Sequence, residues 1–123
     1  MARCNENGVY EPDERFELPM PKKGWRGCPL AEIEIADLGT HWIWAVSYQM
    51  MTGNCAGRGS PLTDFDRPWG TSRAPTRDAA IAAATADLRI SMMKRGDCRD
   101  ARAVLAWLDT LRPAQLDLFG AAA

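Results

Sequence analysis

Few residues in this chain have the type and spacing for chemistry. His41 is the one histidine. It precedes an aromatic run and lies beside a Gly39-Thr40 pair, which reads as an exposed turn position. The four cysteines, Cys4, Cys28, Cys55 and Cys98, are dispersed without a C-x-x-C pair. With His41 they lack the close ligand pairs of structural zinc, so no metal or cofactor is expected. No serine or cysteine sits in a nucleophile motif such as G-x-S-x-G. The stretch "GNCAGRGS" has glycines at 53, 57 and 59 but lacks the G-K-[ST] ending of a phosphate loop, so it reads as a flexible connection with Arg58 at its tip. Glu32 and Glu34 form a carboxylate pair two residues apart, which strand alternation explains without acid–base catalysis. These residues point away from an enzyme and from a small-molecule substrate.

The remaining chemistry is ionic and aromatic. Net charge is −1 over 123 residues, so the whole chain has no pull toward nucleic acid or a membrane surface. Charge is uneven, however. Residues 1–21 hold two arginines against five acids, while residues 88–103 hold Arg89, Lys94, Arg95, Arg99 and Arg102 against Asp97 and Asp100. Cations in a last helical turn answer the helix dipole, which covers Lys94 and Arg95. Arg89, Arg99 and Arg102, with Arg58, are the candidate patch for DNA or an acidic partner. Trp42 and Trp44 stand two apart on one strand face, the arrangement with which single-stranded nucleic acid is stacked.

The elements that position these residues follow from periodicity. At 46% hydrophobic and 25% charged, the composition is that of one globular domain able to bury a core unaided. Residues 1–30, punctuated by Pro12, Pro19, Pro21 and Pro29, read as an irregular arm in which Trp25 pins the chain to the domain. "AEIEIADL" alternates with period two, and "HWIWAVSYQMM" is aromatic and β-branched, so residues 31–51 read as a β-hairpin about Gly39-Thr40. A two-residue turn pairs Asp37 with Trp42, Ile35 with Trp44 and Ile33 with Val46. A four-residue turn shifts partners by two and keeps the faces. Either way the tryptophans share the isoleucine face, which belongs under helices, with Glu32, Glu34, His41 and Ser47 opposite. "LTDFDRPWGTS" holds a third short strand, confined to an edge by Pro68.

From Thr76 the period becomes helical. Thr76 caps a helix whose stripe is Ile81, Ala84, Leu88 and Met92, and Gly96 stops it. Asp97 caps a second helix with stripe Ala101, Val104, Leu105, Leu108 and Leu111, which Pro113 ends. Trp107 sits at the edge of that stripe. The expected architecture is α+β: a small antiparallel sheet, a hairpin plus a third strand, packed against two C-terminal helices. The arm covers 1–30, the domain 31–112 and a tail 113–123. After Met1 there is no apolar leader and no run of membrane-spanning length, so the expected location is cytoplasmic.

The tail reads Gln115-Leu116-Asp117-Leu118-Phe119. This pentapeptide resembles the motif with which many bacterial DNA polymerases and repair, mismatch and plasmid or phage replication proteins dock on the ring-shaped sliding clamp. It matches the family pattern at all five positions. By chance, a match this strict arises in roughly one chain of this size in several thousand. The resemblance implies that Gln115 hydrogen-bonds in one subsite, Leu116 packs at the groove edge, and Leu118 with Phe119 fill the hydrophobic pocket, while Asp117 matches the serine or aspartate of the pattern. It covers five residues and leaves the domain unidentified. The implied function is a non-catalytic accessory protein of DNA replication or repair. Two other readings stand beside it: a small stoichiometric inhibitor of a nucleic-acid enzyme, of the anti-CRISPR kind, and a single-stranded nucleic-acid-binding module. Against docking in trans stands a clasp, in which the tail's apolar side chains fold back on the helices.

Overall fold

The computed structural model describes residues 3–51, 55–58, 61–65 and 70–111. Their elements, in chain order, are β1 (Glu14–Leu18), β2 (Ala31–Asp37), β3 (Trp42–Gln49), β4 (Cys55–Arg58), β5 (Arg73–Ala74), α1 (Arg77–Arg95), α2 (Arg99–Leu108) and a 3₁₀ turn at Asp109–Leu111. The sheet is antiparallel in the order β1-β2-β3-β4, with β5 on the first half of β3. The helices lie on one face, α1 across β2, β3 and β5, and α2 on α1. The molecule is α+β with a small antiparallel sheet against two helices.

The hairpin forms with the register expected of a two-residue turn: Asp37 faces Trp42, Ile35 faces Trp44 and Ile33 faces Val46. Leu38 N–H donates to His41 O at 2.9 Å, closing the turn. Gly39 takes φ 91°, which an L side chain resists, and donates its N–H to the Asp37 carboxylate at 2.8 Å. The isoleucine and tryptophan side chains therefore share one face. Ile33, Ile35, Trp44, Val46 and Tyr48 join Ile81, Ala84, Leu88 and Met92 of α1 and Ala101, Val104 and Leu108 of α2 in the main core. Ala80 and Ala84 are fully buried, so small side chains let α1 approach the sheet closely. Thr76 Oγ1 accepts from Ala79 N–H at 3.1 Å, a cap that contributes about 1 kcal/mol. Gly96 ends α1 at φ 81°.

Four details differ from the sequence reading. The 1–30 arm is not wholly irregular. Its "ERFEL" segment is β1, paired with β2 so that Phe16 faces Ile33 and Leu18 faces Ala31. The strand after the hairpin lies earlier than expected, at Cys55–Arg58 inside the glycine-rich stretch, with the two-residue β5 just after "LTDFDRPWGTS". From that segment, Thr63 makes a single bridge to Val9, and Asp66 to Trp69 lie outside the described residues. The α2 N-cap is Cys98, without a side-chain cap bond, because the Asp97 carboxylate accepts from Arg102 instead. Finally, the outer sheet face is partly covered. Ala36, Ile43 and Ala45 form a second small core with Leu62, against which Tyr10 and Leu38 pack.

Trp25 pins its segment as expected, packing against the main core while its indole N–H donates to Cys28 O at 2.8 Å. Trp107 is partly buried at the boundary of that core. No helix among the described residues is long and apolar enough to cross a membrane.

Candidate partner-binding sites

Residues Gln115, Leu116, Asp117, Leu118 and Phe119, and the 113–123 tail as a whole, lie outside the described residues. What the structure describes is the domain up to that point. The main core takes Leu108 at 1% exposure, and Leu111 packs against it from the 3₁₀ turn. Thr110 Oγ1 donates to Trp107 O at 2.6 Å and closes that turn.

The basic candidates are dispersed and paired. On β4, Arg58 meets Asp87 of α1 at 3.1 Å. On α1, Arg89 bonds Asp109 beyond the end of α2. On the first turn of α2, Arg99 lies 3.8 Å from Asp100 and Arg102 lies 2.6 Å from Asp97. Arg89 thus reaches one end of α2 while Arg99 and Arg102 stand at the other, about 15 Å away along a ten-residue helix. Each guanidinium has a carboxylate beside it, so the four do not form one cationic surface. Such exposed pairs add little stability, but they cancel the local field that a phosphate backbone would sense.

The tryptophan face is under the helices. Trp44 is 7% exposed and Trp42 is half-buried against the same core, so the Trp44 ring is closed to a stacking base.

His41 is engaged more than a turn residue needs. Its Nδ1 lies 2.9 Å from Thr40 Oγ1 and its Nε2 lies 3.1 Å from Asp64 Oδ2. Arg73 Nε donates to the other Asp64 oxygen at 2.6 Å, and a second Arg73 nitrogen donates to Asp64 O at 3.2 Å. One carboxylate thereby ties the hairpin turn, β5 and the segment that follows Leu62. The partners are distant in sequence, and the lone histidine was their only signal.

The carboxylates of the outer face are a second cluster that sequence reading understated. Pairing of β1 with β2 sets Glu17 opposite Glu32 and Arg15 opposite Glu34. Arg15 donates to Glu34 at 3.0 Å and stands 3.9 Å from Glu17. Glu32 lies between Glu34 and Glu17 and shares a side-chain hydrogen bond with Glu17. Burial first, then the charge of Glu34, and after these the hydrogen bond with Glu17 and its charge, push the Glu32 carboxyl up from 4.5 to about 7, against the pull of Arg15. The sign follows. The folded state binds this proton more tightly than the unfolded chain, so the associated stability is present below about 4.5 and is lost as pH rises through about 7. Glu32→Gln is expected to flatten this fall and to exceed the native chain in stability above pH 7 by roughly 1 kcal/mol, once solvent screening is allowed for. Urea unfolding across this range checks it, and parallel pH profiles for the two proteins would refute it.

All four cysteines are free and exposed. Among the described residues, no three histidine, cysteine, aspartate or glutamate side chains gather where a metal ion would need them. Comparison with protein-family models, with curated proteins and with solved structures returned no match to this chain.

Proposed function

We propose that this protein is a non-catalytic adaptor of bacterial, plasmid or phage DNA replication or repair, and that it docks on the sliding clamp through Gln115-Leu116-Asp117-Leu118-Phe119. The five-position match of that peptide carries the reading. The packing of the described domain supports it. The helix stripes and the inner sheet face find partners among the described residues from Tyr10 to Leu111, and a second small core partly covers the outer face. An extended peptide with a hydrogen-bonding anchor at one end and apolar anchors at the other suits a preformed groove, and its affinity is moderate because ordering it costs entropy.

The test is gel-filtration co-elution of purified sliding clamp with the full chain and with a chain lacking residues 113–123. Co-elution of the full chain alone supports the proposal. Equal behaviour of the two chains sinks it. If instead the chain is a stoichiometric inhibitor of a nucleic-acid enzyme, the shortened chain keeps its inhibition.

A further inference from the structure

Strand β4 is the last of the sheet, and all four of its residues are exposed. Among the described residues it pairs with β3 alone. Two hydrogen bonds of β3 fix which backbone groups of β4 look outward. Gln49 N–H donates to Leu30 O, on the β2 side, while Trp44 N–H donates to Ser72 O, on the opposite side. Backbone groups alternate along a strand, so those of Val46 and Tyr48 point toward β4. Their partners are Arg58 and Ala56. The N–H and C=O of Cys55 and Gly57 therefore point away from β3, to the side on which no described strand pairs with β4. They form the start of a ladder ready to accept another extended chain.

The two middle residues of β4 are small, and each leaves a hollow on one face of the sheet. On the outer face, beside Gly57, lies a hollow of about 360 Å³ lined by Cys28, Ser47, Gln49 and Cys55. On the helix face, beside Ala56, lies a second of about 140 Å³, lined by Tyr48, Arg58, Asp87 and Ser91. The two hollows thus flank consecutive residues on opposite faces, which is the spacing of consecutive side chains on an added strand. The outer hollow is neutral and offers the Gly57 backbone as a floor, a seat for a large apolar side chain crossing over glycine. The inner hollow is polar, with the Ser91 hydroxyl beside the Arg58–Asp87 ion pair, a seat for a hydrogen-bonding side chain.

We propose that the β4 edge binds an extended segment of another protein as an added strand, with a large apolar residue opposite Gly57 and a hydrogen-bonding residue next to it. Backbone bonds to Cys55 and Gly57 supply the affinity and the two hollows the choice of sequence. A second copy of this chain fits worse. A two-fold axis normal to the sheet pairs residues of like face, setting Ala56 opposite Ala56 with Gly57 opposite Cys55, or Gly57 opposite Gly57. In each register the large hollow meets a cysteine or a glycine, which cannot fill it. The site stands independently of the tail, and it is the place for the second partner that an adaptor requires.

The test uses the full chain labelled for amide exchange and a short synthetic peptide alternating phenylalanine and threonine. At saturating peptide, exchange at Cys55 and Gly57 is expected to slow by at least about tenfold, and replacing the phenylalanines by alanine is expected to weaken binding by about tenfold or more. Gly57→Pro removes an outward N–H while leaving the β3 bonds in place, so it is expected to abolish binding with the fold intact. Should proline disturb β4, Gly57→Val fills the outer hollow, keeps the N–H, and is expected to weaken binding similarly. The proposal is overturned if no protection appears at about 1 mM peptide, or if Gly57→Val binds as well as the native chain. It is also overturned if Cys55 and Gly57 become protected by raising the protein's own concentration, which would assign the edge to a second copy.

Discussion

Gln115→Ala combined with Phe119→Ala is expected to abolish co-elution with the sliding clamp and to leave thermal stability almost unchanged. The two residues are the ends of the peptide, one a hydrogen-bonding anchor and the other an apolar one. Buried anchors of this kind are worth about 2 kcal/mol each, and losing both weakens binding about a thousandfold. The folded domain should not register the change, since Leu108 and Leu111 already close the second helix against the core. A clasp gives the opposite pattern. Removing a phenylalanine that covers the helices would lower stability by about 1 kcal/mol or more, a drop of several degrees in Tm for a domain of this size. Calorimetry and gel filtration on the same double variant separate the two, and a lower Tm with retained co-elution would reverse the proposal.

Trp44→Ala is expected to lower stability by about 3–5 kcal/mol, the usual consequence of emptying a large aromatic site. Trp44 stands opposite Ile35 in the centre of the hairpin and is covered by the helices. Domains of this size have only about 5–15 kcal/mol in total, so the variant should unfold with Tm lower by about 10–20 °C. Trp42→Ala, at a half-buried position near the turn, should lose less. If Trp44→Ala retained native stability and lost affinity for single-stranded oligonucleotide, the ring would be a stacking platform and the placement under the helices would be wrong.

Legibility tracked the range of the interactions. The hairpin register was readable because Glu32 and Glu34 alternate with Ile33 and Ile35 beside a glycine suited to a tight turn. The helices were readable because Ile81, Ala84, Leu88 and Met92 repeat at helical spacing between Thr76 and Gly96. Strand β1 was obscured by the prolines around it, although Phe16 and Leu18 alternate with Arg15 and Glu17. Strand β4 was not legible at all. Cys-Ala-Gly-Arg carries no strand pattern, and its conformation is imposed by pairing with β3 rather than by propensity. The carboxylate partners of the basic candidates were hidden for a related reason. Arg58 meets Asp87, and Arg89 meets Asp109, across distances that local charge counting does not see. The tail was legible as a motif, and it lies outside the described residues.

Strands β1 to β4 follow chain order, each lying beside its predecessor, and β5 returns to β3. This has a consequence for synthesis. Pairings between neighbours close short loops and zip early, on microsecond scales once the strands are free. The chain therefore emerges with its hairpins available well before Arg77–Arg95 has been made. Until then the Ile33, Ile35, Trp44 and Val46 face has no cover. The nascent protein passes through an interval in which its stickiest surface is bare, and the helices that end that interval come last.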